Sequence, residues 1–301
     1  MEYRDVIRHY TRHEVRQEIA RFARSRWVAL HCMVKTKKDS LTMVRFDAGR
    51  PLTIEKSGDI GVIFLKFSKL LPRTIYASAN VYRRLRYSED VYDPQNIVGC
   101  TPTWDIDVRD QGKKGWIAAL KAAYELVCFL DKWGVRESVF VKVSGRGLHV
   151  HIHHRAISED VRMKYHPLDV AYAIVEFGVR RLESQIRRMG LKEGVLVKIE
   201  NCMDKQRVFT CPLSLHRELD VVCVCINPDT LPDVDYRITD PEGFVHYRDW
   251  NRYDKGECDE LAYAALNAVG GYPWPRRTRR RKHPPIEEQI LKYLPPSDAD
   301  I

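Results

Sequence analysis

Three short segments of this 301-residue chain alternate apolar and polar residues with a period of two: WDIDV (104–108), LHVHIH (148–153) and VLVKIE (195–200). That period belongs to strands whose two faces meet different surroundings. In the first segment Trp104, Ile106 and Val108 share one face, and Asp105 and Asp107 share the other. In the second, Leu148, Val150 and Ile152 oppose His149, His151 and His153. In the third, Val195, Val197 and Ile199 oppose Lys198 and Glu200. If the three segments lie in one sheet, their apolar faces form one wall of a core. Carboxylates and imidazoles then gather on the opposite surface.

The segments between them are helical. WIAALKAAYELVCFLDKW (116–133) places Trp116, Leu120, Ala123, Val127 and Leu130 on one stripe and ends at Gly134. A second long helix is predicted over about 167–189. Residues 5–29 carry helical spacing (Ile7, Tyr10, Val15, Ile19, Phe22, Ala23) with basic residues between, which predicts one or two surface helices. Further strands are expected in 208–226. The succession of strand, helix, hairpin, helix and strand predicts an α/β (α+β) fold, a mixed sheet with helices on one face. The segment 272–285, YPWPRRTRRRKHPP, reads as a basic, proline-bounded linker, and IEEQILKYL beyond it as a short helix in a 286–301 tail.

Lys plus Arg outnumber Asp plus Glu by 50 to 41, which favours an acidic partner such as nucleic acid. The eight cysteines contain no CxxC pair, as expected of reduced core thiols. No apolar run approaches the roughly 20 residues that span a bilayer, and MEYRDVIRHY lacks a signal-peptide core. The expectation is a cytoplasmic protein with no membrane partner.

Neighbouring carboxylates repel unless cations lie between them, and hard divalent ions with oxygen ligands suit such a site. Two ions bridged by carboxylates can activate a hydroxyl and stabilise a leaving pyrophosphate, so Asp105, Asp107 and a third acid point to phosphoryl or nucleotidyl transfer. The turn SGRG (144–147) fits the phosphate side of that chemistry. Its glycines let backbone N–H groups approach an anion, Ser144 adds a hydroxyl and Arg146 a planar fork. His216, ending DKQRVFTCPLSLH, is a further phosphate donor or a loop-capping histidine. Taken alone, HVHIHH admits a zinc site, although alternating ligands on a flat strand converge poorly on one ion.

Four segments in order resemble the small catalytic subunit of archaeal and eukaryotic DNA primases and the wider primase-polymerase superfamily. They are TIYASANVYRR (74–84), WDIDV, SGRGLHVH (144–151) and DKQRVFTCPLSLH (204–216), with EVRQEIARF (14–22) similar to an earlier family motif. The resemblance covers roughly 14–226. It implies an N-terminal α/β module (about 1–100) packed beside an RNA-recognition-motif-like module (about 101–271), with the active site between them. By the same resemblance Asp105 and Asp107 bind two Mg2+ or Mn2+ ions, and Ser144, Gly145, Arg146, His149, Arg207 and His216 hold the incoming triphosphate.

Three departures refine this. The family's zinc-binding insertion after the D-x-D strand is missing, which places the chain near compact members such as the polymerase domains of bacterial end-joining ligases. Thr210 stands where the family has a basic residue, leaving Arg207 and Lys205 to serve instead. The third metal carboxylate is displaced, and Glu200, at the end of an apolar strand, is expected in preference to Asp204. The implied function is template-dependent nucleotide transfer to a 3′-hydroxyl on single-stranded DNA from NTP or dNTP. A large primase subunit, or another replication or repair protein, is the further partner such an enzyme would take. The alternatives are a repair polymerase that only extends primers and a non-catalytic nucleic-acid-binding subunit.

Overall fold

A computed structural model describes residues 1–274 apart from 37–39, 110, 111, 146 and 232. Arg146, most of the basic linker and the expected C-terminal helix and tail therefore lie outside the described residues. The chain opens with α1 (Tyr3–Thr11) and α2 (His13–Ala23), parted at Arg12, whose backbone is extended. One residue of the predicted stripe changes. Val6, His9 and Tyr10 form the buried face of α1, while Ile7, a step of about 100° around the helix from Val6, is 37% exposed.

There follow β1 (Val28–Lys35), β2 (Leu41–Val44), the short pair β3 (Phe46–Asp47) and β4 (Arg50–Pro51), α3 (Ser57–Lys66), β5 (Pro72–Ser78), β6 (Asn80–Tyr82) and β7 (Ile97–Cys100). The second half runs β8 (Thr103–Val108), α4 (Lys113–Lys132), β9 (Val139–Val143), β10 (Leu148–Ile152), α5 (Glu159–Lys164), α6 (Pro167–Lys192), β11 (Val197–Asn201), β12 (Val208–Thr210), β13 (Val224–Ile226) and α7 (Asp259–Val269). Among the described residues no helix is long and apolar enough to cross a membrane.

The three alternating segments become β8, β10 and β11 of one antiparallel sheet, ordered β11-β8-β10-β9-β13. The run β8-α4-β9-β10-α6-β11, with its fourth strand beside the first and the third next, is the split βαββαβ arrangement. Helices α4 and α6 cover the apolar face. There Trp104 and Ile106 are fully buried, each burial contributing about 1.5–3 kcal/mol, and the Trp104 indole donates to the Val175 carbonyl at 2.9 Å. Helix α6 starts at Pro167 with the His166 imidazole accepting from the Leu168 N–H. Helix α4 stops before Gly134, whose φ of +75° ends the helical path.

The opposite face is covered as well, which alternation alone does not reveal. A second antiparallel sheet, ordered β12-β5-β1-β2, lies over part of it together with α2. Its outer strand β12 comes from beyond residue 200, so the chain returns across the boundary expected near residue 100 to complete this sheet. His151, expected on a solvated or zinc-binding surface, is instead fully buried against Phe140, with Nδ1 bonded to the Thr103 hydroxyl at 2.7 Å.

Candidate active site

Antiparallel register places Glu200 directly opposite Asp105, Asp105 opposite His149, and His149 opposite Lys142. Residues opposite one another in a ladder point to the same face. Four charged or titratable side chains thus form one row across the sheet, and Asp107 lies two residues along β8 on that same face. The row meets the other sheet through Arg207, just before β12, whose Nη2 bonds Asp105 Oδ2 at 2.6 Å.

The two aspartates are not equivalent. Asp105 is largely buried, and burial alone would raise its pKa. The nearby His149, with Nε2 at 3.3 Å from Oδ1, together with the Arg207 guanidinium and the Cys202 thiol, holds it below the usual carboxylate value. Asp107 is more exposed yet shifted upward, by desolvation first and then by the charges of Asp105 and Glu200. Glu200 meets the Lys198 ammonium at 3.8 Å. Among the described residues no three His, Cys, Asp or Glu side chains already converge as a metal cage. The donor set is nonetheless all-oxygen, and the charge burden on Asp107 is what a divalent cation would relieve.

The SGRG turn joins β9 to β10. The Ser144 N–H and hydroxyl both donate to the Gly147 carbonyl, at 3.0 and 3.2 Å. Its glycines are required by what they touch. A Cβ at Gly145, where φ is +115°, would stand 2.4 Å from His216 Cδ2, and one at Gly147 would stand 2.4 Å from the Ile106 carbonyl oxygen. The turn is thereby seated between β8 and His216. The His216 Nδ1 accepts from the N–H groups of Glu218 and Leu219, which fixes the neutral ring as the Nε2–H tautomer.

The fold brings together Asp105, Asp107, Glu200, His149 and Arg207 at one spot and sets Ser144, Gly145 and His216 beside them. Asp204 stands apart: it closes its own turn by accepting from the Gln206 N–H at 2.6 Å. Lys205 lies over the Trp274 ring rather than in the row. Thr210 is buried, and its carbonyl accepts from the fully buried Lys142 ammonium at 2.7 Å.

Three contributors escaped the sequence reading. Cys202 continues the alternation of Lys198 and Glu200 and reaches Asp105; the period was its signal. Lys142 sits between Val141 and Val143 on the same period. Arg73 holds the His216 loop through the His216 and Leu219 carbonyls and Asp220, and no local pattern marks it.

No protein-family model matches the chain, and no curated protein matches it in sequence. Among solved structures it is similar to the polymerase domain of Ligase D from Mycobacterium tuberculosis, determined in complex with DNA. The TM-score is 0.50 at 12% sequence identity, over 89% of each chain. The chain shares the fold of that polymerase domain. A likeness at this identity speaks to architecture, and the chemistry has to be argued from the row of side chains itself.

Proposed function

We propose that this chain is a template-dependent nucleotidyltransferase of the primase-polymerase type, adding nucleotides from NTP or dNTP to a 3′-hydroxyl on a single-stranded DNA template. The observation that carries this reading is the excess of negative charge gathered by Glu200, Asp105 and Asp107 beside a glycine turn seated on His216. The three carboxylates would hold two Mg2+ or Mn2+ ions, which when bound activate the attacking hydroxyl and stabilise the leaving pyrophosphate. His149 orients Asp105 through its Nε2 hydrogen bond. The triphosphate would take the Nε2–H of His216, backbone donors of the 144–147 turn and Arg146. Arg207 would exchange its bond to Asp105 for one to phosphate once cations neutralise that carboxylate.

Primer extension in repair is the second reading. Only a short connection separates Val108 from Lys113, leaving no room for a zinc-binding insertion after β8. A large primase subunit belongs to the first reading and not to this one. Labelled NTPs or dNTPs supplied with primed and unprimed templates, in Mg2+ and in Mn2+, separate the two by whether product appears without a primer. Asp105→Ala and Asp107→Ala are expected to abolish incorporation while leaving template affinity nearly unchanged. Activity within tenfold of wild type in either variant would refute the catalytic assignment and favour a non-catalytic nucleic-acid-binding subunit.

A further inference from the structure

The buried face of the five-stranded sheet has a second end. His153 follows His149 by four residues, a separation of about 13 Å along a strand. Beside it opens a cavity of about 600 Å3, within the range of roughly 300–1,000 Å3 usual for small-ligand sites. Its walls come from α2, the turn after it, the 153–155 turn and the segment 250–253, and it shares no residue with the carboxylate row.

The charge of this cavity is unbalanced. Arg26, 5% exposed, forms its floor and donates to the carbonyls of Ser78 and Ala79 and the Thr101 hydroxyl, each at 2.8 Å, with His154 Nδ1 at 3.5 Å. All four partners are neutral, and no carboxylate pairs with Arg26 among the described residues. Burial alone pulls its pKa down to about 10, so the guanidinium remains charged at neutral pH. Arg21, Arg24, Lys56 and Arg155 add four more cations around the opening. The two carboxylates present are already engaged: Glu18 with the Trp250 indole, His246 and Arg21, and Glu55 with the Ser25 N–H. The Arg24 side chain is exposed and has no partner among the described residues.

Two further features belong to the same wall. Ser25, between Arg24 and Arg26, has φ +58°, a left-handed conformation that a non-glycine residue holds at a strain of about 1–3 kcal/mol. Tyr253 stacks on His153 with ring centroids 4.6 Å apart and planes 8° apart, and His153 stacks in turn on His154. Desolvation holds the His153 pKa down to about 4 and that of His154 well below its usual value, so this ring stack is neutral. Arg155 Nη1 donates to the Tyr253 hydroxyl at 3.1 Å.

We propose that this cavity is a second ligand site, separate from the carboxylate row, which binds a nucleoside phosphate. The phosphate meets Arg24, Arg155 and the field of the buried Arg26, and the nucleoside lies against the neutral aromatic wall. A simple cation-rich surface would not need the ring stack, and an apolar pocket would not need the unpaired guanidinium.

The test is a fluorescence titration of the full chain with N-methylanthraniloyl-AMP in EDTA, which removes divalent-dependent binding at the carboxylates. Saturable binding is expected, unaffected by Asp105→Asn and weakened at least tenfold by Arg24→Ala combined with Arg155→Ala. Both arginines are exposed, so the fold should survive, and an unchanged thermal melt verifies that. Arg24→Glu alone should weaken binding further than Arg24→Ala. Inorganic phosphate should compete, at higher concentration than AMP. Absence of saturable binding, or binding lost in His216→Ala yet retained in both arginine variants, overturns the site. Phosphate competing as well as AMP overturns its nucleoside specificity. None of these readouts depends on nucleotide incorporation, so failure here and failure of the polymerase reading are separable.

Discussion

Arg207→Met tests whether Arg207 is a built-in counter-ion that divalent cations must displace from Asp105. The bond from Nη2 to Oδ2 is 2.6 Å long, and the two side chains are 31% and 13% exposed. Hydrogen bonds to a charged group contribute about 1.5–3 kcal/mol net. Solvent screening on the partly exposed arginine side discounts that range, so about 1–2 kcal/mol is a fair working value. A cation that takes Asp105 Oδ2 must break this bond. Methionine keeps much of the stem that packs on Phe209, whose ring lies 5.2 Å from the guanidinium carbon, while removing the charge. Without nucleotide, Mn2+ affinity should therefore rise about 5- to 30-fold, since 1.4 kcal/mol is about tenfold. Electron paramagnetic resonance of free Mn2+ measures this directly, with Asp105→Asn as the control that loses binding. Incorporation should fall in the same variant, because Arg207 is then missing from the triphosphate. Mn2+ affinity unchanged or weakened in Arg207→Met would refute the counter-ion argument.

Gly145→Ala forces a Cβ into His216 at a φ of +115°, so nucleotide affinity should drop tenfold or more while template binding persists; equal nucleotide affinity would mean that the turn is not part of the site. Glu200→Gln should weaken Mn2+ binding, whereas Asp204→Asn should leave it near wild type, because Glu200 faces Asp105 across the ladder and Asp204 is occupied with its own turn. The reverse ranking in the Mn2+ titration would show that the wrong acid was chosen. His9 is buried, and desolvation lowers its pKa from 6.5 to about 4. The unfolded state therefore binds the extra proton first, so stability is full above pH 6.5 and is lost as pH falls towards 4, by about 3 kcal/mol from this group. Urea unfolding across that window should be visibly flatter for His9→Asn, and identical slopes would place the acid sensitivity elsewhere.

Strand periodicity carried much of the site because it is a local property. Alternation alone assigns Asp105, Asp107, His149 and Glu200 to one face, and the ladder then brings them into one row. What covers a face is decided by distant residues, and the period is silent about it. His151 reads as a surface group and Lys142 goes unmarked until Phe209 from β12 and Phe22 from α2 are laid over them. Arg73 escaped for the same reason. It acts on a loop about 143 positions away in sequence, and nothing near residue 73 announces that partner. Whether residues 5–29 form one helix or two stayed open for another reason: helical spacing runs on through Arg12, whose extended backbone interrupts it.

The polar face of the five-stranded sheet holds opposite charges at its two ends, and the groups between them explain how both persist. Carboxylates collect at Asp105, Asp107 and Glu200. Cations collect at Lys142 and Arg26, which sit 4.3 and 4.9 Å from the Phe22 ring centroid. Neither cation has a carboxylate partner among the described residues, and burial shifts the Lys142 pKa downward. An acidic or basic residue in the middle would pair with one end and cancel it. His151 occupies that position instead, with its pKa driven far down by desolvation and by Lys142, so it stays uncharged. Phe209 fills the remaining space against both His149 and His151. Neutral rings therefore insulate the acid end, suited to divalent cations, from the cationic end, suited to a phosphate. Replacing His151 with asparagine would keep that neutrality yet open a cavity beside Phe140, whereas lysine there would bring a third buried cation towards Asp105 and collapse the separation on which both sites depend.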